Sequence, residues 1–430
     1  MIDIKIIRET PDITKQRLMM KGVDCSAEID RIIELDAQRR AIIAICEADK
    51  AEQKRMAKRI PRIKSEGTDT SEVLARLTSL KENIRDAEAT LRNVEAELDE
   101  LMLGLPNLPD EDLAPGGKEN NEPLRYHGVP HSFDFEPKSH MELCAKLGLI
   151  DYSRGVKLAG SGFWIYRGLG SRLEWALLNY FIDKHITDGY ELLFVPYILE
   201  YQCGVTAGQF PKFADEVYKI ANPTDDRIHY LLPTAEAALV SLHRDEILAE
   251  AELPKKYVSF TPCFRREAGT YGSDERGMIR GHQFNKVEMV QYTTPEGSPA
   301  AFEELVNKAE ALVAGLGFHY RTVKLAAGDC SAAMSRTYDI EIHIPSMNGY
   351  KEVSSVSNAR CYQARRGAMR FRREATGKTE YVHTLNGSGL ATSRILPALV
   401  EQNQQKDGSI IIPEVLRKYL GGFEIIKVEA

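Results

Sequence analysis

From Val73 to Leu101 the apolar residues recur at alternating steps of four and three: Val73, Leu77, Leu80, Ile84, Ala87, Leu91, Val94, Leu98 and Leu101. A period of 3.5 residues held over this length keeps one narrow stripe on one side of an α-helix. Such a stripe is buried only against another helix. Upstream, Ile32, Leu35, Ile42, Met56 and Ile60 follow a looser version, interrupted by Arg39, Asp49 and Gln53. The segment between, Ser65-Glu66-Gly67-Thr68-Asp69-Thr70-Ser71, is rich in turn and capping residues. Two long helices joined by a short turn pair antiparallel, so residues 1–104 read as an N-terminal domain built on a coiled-coil hairpin. Pro61 removes a backbone hydrogen bond from the first helix and predicts a kink or an early end there.

The first helix is also basic. Lys50, Lys54, Arg55, Lys58, Arg59, Arg62 and Lys64 stand against a single acid, Glu52. A run of this kind is usually a solvated face, and it is also what binding A-form RNA through its phosphates requires. Charge alone leaves both readings open. The chain as a whole carries −7, which excludes a uniformly basic nucleic-acid binder but not a local patch. Cys25, Cys46, Cys144, Cys203, Cys263, Cys330 and Cys361 are scattered with no C-x-x-C pair, so no zinc site is expected and a reducing compartment fits. The N-terminus shows no charged-then-apolar leader, and no apolar run is long enough to span a bilayer. The expectation is a cytoplasmic protein with no membrane association.

Between Leu105 and Pro130 the composition changes to Pro106, Pro109, Pro115, Gly116, Gly117, Pro123 and many acids, which reads as a linker. From 131 to 430, β-branched runs such as Ile340–Ile344 and Ile410–Ile412 alternate with helical stretches such as Leu173–Ile186 and Ala301–Leu316. That mixture predicts an α+β body, a mainly antiparallel sheet flanked by helices. Two apparent nucleotide motifs fail. Arg372 stands where a P-loop ending Gly377-Lys378-Thr379 needs glycine, and Leu173 stands where a dinucleotide fingerprint starting Gly168-Leu169-Gly170 needs its third glycine.

The chemistry concentrates in Phe264-Arg265-Arg266-Glu267-Ala268-Gly269 and, after a loop, Arg276-Gly277-Met278-Ile279-Arg280-Gly281-His282-Gln283-Phe284-Asn285-Lys286-Val287-Glu288-Met289. This offers a strand, a glycine-rich loop and a return strand. Arg265 is placed to hold an α-phosphate and Phe284 to stack an adenine. On spacing alone a salt-bridged surface hairpin is an equal alternative.

Phe264–Gly269 resembles motif 2 of the class II aminoacyl-tRNA synthetases, and His282-Gln283-Phe284-x-Lys286-Val287-Glu288 resembles the seryl-tRNA synthetase version of it. Asp188-Gly189-Tyr190 through Pro196 is similar to motif 1, the dimer-interface element. His383-Thr384-Leu385-Asn386-Gly387-Ser388-Gly389-Leu390-Ala391, ending in Arg394, is similar to the seryl motif 3. Thr234-Ala235-Glu236 resembles the family's serine-binding loop, and Glu352-Val353-Ser354-Ser355 its Glu-Val-Ser-Ser strand. The likeness runs from Met1 to Gly422.

The resemblance implies a serine–tRNA ligase that forms seryl-adenylate from L-serine and ATP with Mg²⁺. The seryl group then passes to the tRNA of serine, and usually to that of selenocysteine. It further implies a homodimer whose helical arm grips tRNA through Lys50, Lys54, Arg55, Lys58, Arg59 and Arg62. ATP would be held by Arg265, Arg266, Glu267, Gly281, His282, Gln283, Phe284, Glu352, Val353, Ser354, Ser355 and Arg394. Among these Arg265, Arg394 and Glu352 would be catalytic, and Glu352 and Ser355 would carry the metal. Serine would be held by Thr234, Ala235, Glu236, Arg265, Glu288, Asn386 and Ser388. Glu275, Gly281, Val356 and the Ala359–Tyr362 stretch depart from the commoner family pattern. A paralogue that loads a carrier protein or has lost catalysis is the rival reading. The long arm and the retained arginines and Glu352 weigh against it.

Overall fold

The computed structural model describes residues 1–66, 69–222, 227–267 and 277–428, without the side chain of Lys64. Gly67 and Thr68 of the expected turn, and Ala268, Gly269, Glu275 and Arg276 of the glycine-rich loop, lie outside these residues. The chain divides into two units, Ile2–Met19 with Val23–Pro106, and Met20–Gly22 with the chain from Asn107 onward.

The first unit is helical. Helices α1 (Ser26–Ser65) and α2 (Ser71–Gly104) account for most of it. Leu80, Ile84, Val94 and Leu98 are buried, and the remaining seam positions of α2 are half-buried. On α1 the buried apolar residues are Ile29, Ile32, Leu35 and Cys46; the cysteine fills the step between Ile42 and Asp49 that the seam left open. Ion pairs mark the antiparallel register, because partners on α2 run backward as α1 runs forward: Arg31 with Glu97 at 2.8 Å, Lys50 with Glu88 at 2.7 Å, Glu52 with Arg76 at 3.2 Å. These exposed pairs set direction more than they add stability. Deeper in, the buried carboxylate of Asp36 is met by Arg8, Arg39 and Arg40. Helix α1 continues through Pro61 to Ser65, so the early end expected at the proline does not occur. A proline this near the terminus forfeits one bond and the next residues still close their turns.

The second unit is built on an eight-stranded sheet. Its strands are β1 (Glu122–His127), β2 (Glu191–Leu192), β3 (Lys255–Phe264), β4 (Gln283–Thr293), β5 (Tyr320–Lys324), β6 (Arg336–Ile344), β7 (Gly349–Arg360) and β8 (His383–Ala391). The order is β1-β5-β6-β7-β8-β4-β3-β2, antiparallel throughout except for the parallel β2–β3 edge. This is the α+β arrangement expected. Strand β1 comes from the stretch read as a linker. There the Asn107 amide donates to the carbonyls of Ala333 and Ala359, and Leu113 packs with Val323 and Leu325. The segment is anchored at Asn107 and Leu113 and is exposed from Glu122 to Pro130.

One sheet face is apolar. Val287, Met289, Leu385, Val356 and Ile340 pack against helices α3 (Leu169–Thr187), α5 (Ser298–Gly315) and α6 (Thr392–Gln402). On the opposite face Tyr257, Cys263, Val290 and Tyr292 join a smaller core with Tyr230, Leu232 and the short helix α4 (Ala235–Leu239). The rest of that face is polar.

A register shift between β6 and β7 shapes this polar face. Ile340 pairs with Ser354, but Glu341 pairs with Glu352, so Val353 is the extra residue of a β-bulge. Asp339 pairs with Ser355. Cross-strand partners share a face, so the bulge brings Glu352 and Ser355, three residues apart, to the same side with Asp339 and Glu341. Strict alternation would have parted them.

The hairpin seam can be tested by its contribution to stability. Leu80→Ala should destabilise the helical unit by about 2–4 kcal/mol, read by denaturant unfolding followed at 222 nm. Leu74→Ala, at a position 48% exposed, should stay within about 0.5 kcal/mol. Equal effects would place the seam elsewhere.

Candidate active site

The site is assembled on the polar face from alternate residues. In the β3–β4 hairpin Ser259 pairs with Glu288, Thr261 with Lys286 and Cys263 with Phe284. Their side chains therefore point the same way. Arg265 follows β3, and its guanidinium carbon lies 5.0 Å from the centre of the Phe284 ring. Its Nε donates to the Pro233 carbonyl at 3.3 Å. Across the sheet, Arg394 in the first turn of α6 donates to the Glu352 carbonyl at 2.8 Å and lies 3.4 Å from its carboxylate. Arg265, Glu267, Gly281 and Phe284 on one side, with Glu352, Val353 and Arg394 on the other, line one cleft. Two guanidinium groups and an aromatic face around a narrow polar cleft suit a nucleotide.

The cleft continues into a second cluster. Glu288 is buried, and the Lys286 ammonium stands 2.5 Å from one of its oxygens while donating to Thr234 Oγ1 at 2.7 Å. From β8, Asn386 donates to Glu288 at 3.2 Å and Ser388 at 3.4 Å. Gln363 donates to Glu236 at 2.8 Å and to the Ala207 carbonyl at 3.0 Å, and accepts from Thr384 at 2.6 Å. Thr234 and Glu236 border a neighbouring opening with Arg265 and Glu267. Burial, and then the charge of Glu288, push the Glu236 carboxyl up to about 7, with Lys286 opposing. Two carboxylates share one ammonium, which leaves room for a cationic ligand. Asn386 Oδ1 is buried and accepts no hydrogen bond from the described residues.

The other expected residues fall in different surroundings. Ser354 faces away, paired with Ile340, and its hydroxyl donates to the Ser388 carbonyl at 2.6 Å. Gln283 is exposed and pairs with Phe264, on the side opposite Phe284. Arg266 donates to the Asp215 carbonyl at 2.7 Å. The His282 ring lies 2.9 Å from the Arg265 carbonyl, and Ala235 is buried at the start of α4. Lys286 and Gln363 carried no assignment from the sequence. Lys286 had a signal, standing two residues from both Phe284 and Glu288 on one strand. Gln363 had none, since its partners come from three distant segments.

For a divalent cation the face offers the Glu352 carboxylate and the Ser355 hydroxyl. Close by, Asp339 has a buried oxygen with no hydrogen-bond partner, and burial together with the charge of Glu352 raises its carboxyl well above the usual range. Among the described residues no group of three or more His, Cys, Asp and Glu side chains could hold a metal by itself. Mg²⁺ commonly takes one or two protein oxygens and completes its shell with phosphate and water, so the pair fits that ion.

Comparison with known proteins agrees with this geometry. The family model described as seryl-tRNA synthetase N-terminal domain matches residues 1–109. That described as tRNA synthetase class II core domain (G, H, P, S and T) matches residues 218–403. Serine–tRNA ligase 2 of Clostridium acetobutylicum is 56% identical over 98% of this chain and 99% of its own. Serine–tRNA ligase of Geobacillus kaustophilus is 44% identical over 99% of this chain and 100% of its own. The crystal structure of seryl-tRNA synthetase from Pyrococcus horikoshii complexed with ATP matches with a TM-score of 0.93 at 33% identity, covering 100% of both chains.

The raised Glu236 carboxyl gives a test of the electrostatics. Folding holds a proton on it that the unfolded chain releases near its ordinary value of 4.5. Its contribution to stability is therefore lost as pH rises from about 4.5 to about 7. Glu236→Gln keeps an acceptor for Gln363 and removes that loss. It should match the parent at pH 4.5 and exceed it by about 1–2 kcal/mol at pH 8, measured by denaturant unfolding. A pH-independent difference would place the proton on another group.

Proposed function

The chain belongs to the seryl-tRNA synthetase family, and we propose on that premise that it activates L-serine with ATP and passes the seryl group to the 3′ end of tRNA(Ser). The observation that carries this reading is the junction of the two halves of the cleft. Arg265 borders both the aromatic, arginine-lined side and the side holding Thr234 and Glu236, beside the Lys286–Glu288 pair. The reacting groups of an adenylation meet at such a junction.

No side chain needs to act as a nucleophile. A serine carboxylate oxygen forms a bond to the α-phosphorus of ATP as the bond to the β-phosphate oxygen breaks, and pyrophosphate leaves. Arg265 would neutralise charge developing on the α-phosphate, and Arg394 would hold the leaving phosphates. Phe284 would stack the adenine. Mg²⁺, when held by Glu352 and Ser355, would offset negative charge on the phosphates. The 3′-terminal hydroxyl of tRNA then displaces AMP from the adenylate. Thr234, Glu236, Glu288 and Ser388 would orient serine through its ammonium and hydroxyl groups, with Asn386 beside them. A pocket built to bond a hydroxyl leaves buried partners unpaired when alanine enters, a discrimination of order 10⁴ or more. Threonine is excluded by shape.

Three wider features support the same reading. Among the described residues the cysteines form no disulfide, and no helix is long and apolar enough to cross a membrane; both suit a cytoplasmic enzyme. Trp175, Phe194 and Ile198 are 55%, 76% and 53% exposed. These large apolar groups in and around the motif 1-like stretch suit a homodimer interface. On α1, Lys50 is paired with Glu88 and Arg62 with Glu66. Among the described residues Lys54, Arg55, Lys58 and Arg59 have no such partner. At steps of one and four they form a single cationic stripe suited to the phosphates of tRNA. The tRNA of selenocysteine, where present, would be charged through the same contacts.

ATP–pyrophosphate exchange tests the first step: serine should support it, and alanine and threonine should not. Glu288→Ala should lower serine-dependent exchange roughly 100-fold or more with the fold retained; unchanged exchange would remove Glu288 from the serine site. Replacing Lys54, Arg55, Lys58 and Arg59 with glutamine should raise the KM for tRNA about tenfold or more at low salt and spare exchange. Parallel loss of both activities would contradict an RNA-binding role.

A further inference from the structure

The start of β4 is held from outside by a short strap, residues 160–164, with the sequence Gly160-Ser161-Gly162-Phe163-Trp164. It leaves the helix Tyr152–Ala159 at Gly160, where φ is +96°, and re-enters the strand Ile165–Tyr166. At Gly162, φ is +79° and the carbonyl accepts the His282 backbone N–H at 3.0 Å. A Cβ at 162 would lie 2.6 Å from the His282 ring. The Phe163 and His282 rings are 5.4 Å apart.

Trp164 is the centre of this contact. Its six-membered ring occupies the space a side chain at 281 would need, because a Cβ on Gly281 would fall inside contact distance of Trp164 Cζ3 and Cη2. Behind it, a Cβ on Gly155 would come within 2.5 Å of the Trp164 Cα. The backbone at Trp164 thus lies against Gly155, and its indole lies against Gly281. His282 transmits the constraint, for its carbonyl accepts the Arg265 N–H at 2.9 Å and its ring Nδ1 lies 2.9 Å from the Arg265 carbonyl. Gly281, Arg265 and Phe284 all line the arginine-rich half of the cleft, whereas Trp164 does not.

We infer that Trp164 is a positioning residue for the ATP half of the site, acting through the backbone of Gly281 and His282 on Arg265 and Phe284. The inference rests on the assignment of that half to ATP. Misplacing a binding group by about 1 Å is enough to cost two orders of magnitude, so loosening this contact should reach the nucleotide before it reaches serine. Gly281, one of the departures from the commoner family pattern, then carries no side chain because the indole has taken the room.

The test compares Trp164→Ala, Gly281→Val and the double variant by ATP affinity from calorimetry without serine, and by KM for ATP and for serine in exchange. Trp164→Ala should weaken ATP binding about fivefold or more, with a smaller rise for serine. Gly281→Val should also weaken ATP binding, by displacing the ring. The double variant, with room for the valine, should bind ATP better than Gly281→Val alone. A smaller loss in Trp164→Ala, an equal rise for both substrates, or a double variant no better than Gly281→Val each overturns the inference. If Trp164→Ala does not fold, Trp164→Phe decides it at a threshold of about threefold. A parent protein that binds ATP without serine-dependent exchange would fail the activity reading alone, and the calorimetric comparison would still decide this one. A parent that binds no ATP sinks both.

Discussion

Glu288 is a buried carboxylate in the middle of a sheet, and much of the site exists to keep it there as an anion. Taking such a group out of water costs several kcal/mol unless it is paired and hydrogen-bonded. Lys286, two residues away on the same face, supplies the charge at 2.5 Å, and Asn386 and Ser388 supply donors from the next strand. Those donors arrive only if Ser388 stands opposite Glu288, as it does. The register of β4 with β8 is therefore tied to the electrostatics of one residue. A one-residue slip would turn Asn386 and Ser388 toward the helices and leave the carboxylate stranded.

The same pleat explains how the clefts proposed for the nucleotide and the amino acid share one surface. Residues 284, 286 and 288 of β4 line up, and β7 contributes Glu352 and Ser355 only because Val353 bulges. Close packing behind the face protects this order. Gly389 lies in strand β8, where a Cβ would collide with the His185 ring on α3. That imidazole is driven down to about 4 by burial and is neutral at working pH. A larger residue at 389 would push β8 off α3 and carry Ser388 with it. Gly389 thus serves close approach within a strand.

What could be read in advance was what repeats locally. A seam at 3.5 residues names its own helix and demands a partner, so the hairpin was legible; Cys46 was passed over because a cysteine does not announce itself as core. Arg265, Phe284 and Glu288 were legible because ordered motifs on two adjacent strands carry them. The face of Ser354 was not, since alternation is a local rule and the bulge that breaks it is set by pairing with β6. Strand β1 was hidden for the same reason. Its residues are all exposed and show no apolar alternation, and only hydrogen bonding to β5, nearly two hundred positions later, makes them a strand. Gln363 is the extreme case, a residue defined by contacts with Ala207, Glu236 and Thr384.

The charge balance of the amino-acid side separates two tasks. Glu236 and Glu288 share Lys286, and burial, followed by the charge of Glu288, raises the Glu236 carboxyl. A ligand ammonium would relieve that strain, and binding would draw the Glu236 proton off. Every α-amino acid carries that ammonium, so the imbalance selects the class and discriminates nothing within it. Choice among serine, alanine and threonine has to come from uncharged partners and from shape. Asn386 Oδ1, buried and accepting nothing from the described residues, would be such a partner on the proposed assignment. Left unpaired it costs about 1–3 kcal/mol, which alone is too little for a discrimination of order 10⁴. Several neutral contacts must therefore act together, and Ser388 and Thr234 stand on the same carboxylate–ammonium pair. On the proposed assignment, specificity for the hydroxyl would depend on how Glu288 and Lys286 are held, and a substitution that disturbs the pair should blur the choice of side chain as well as weaken binding.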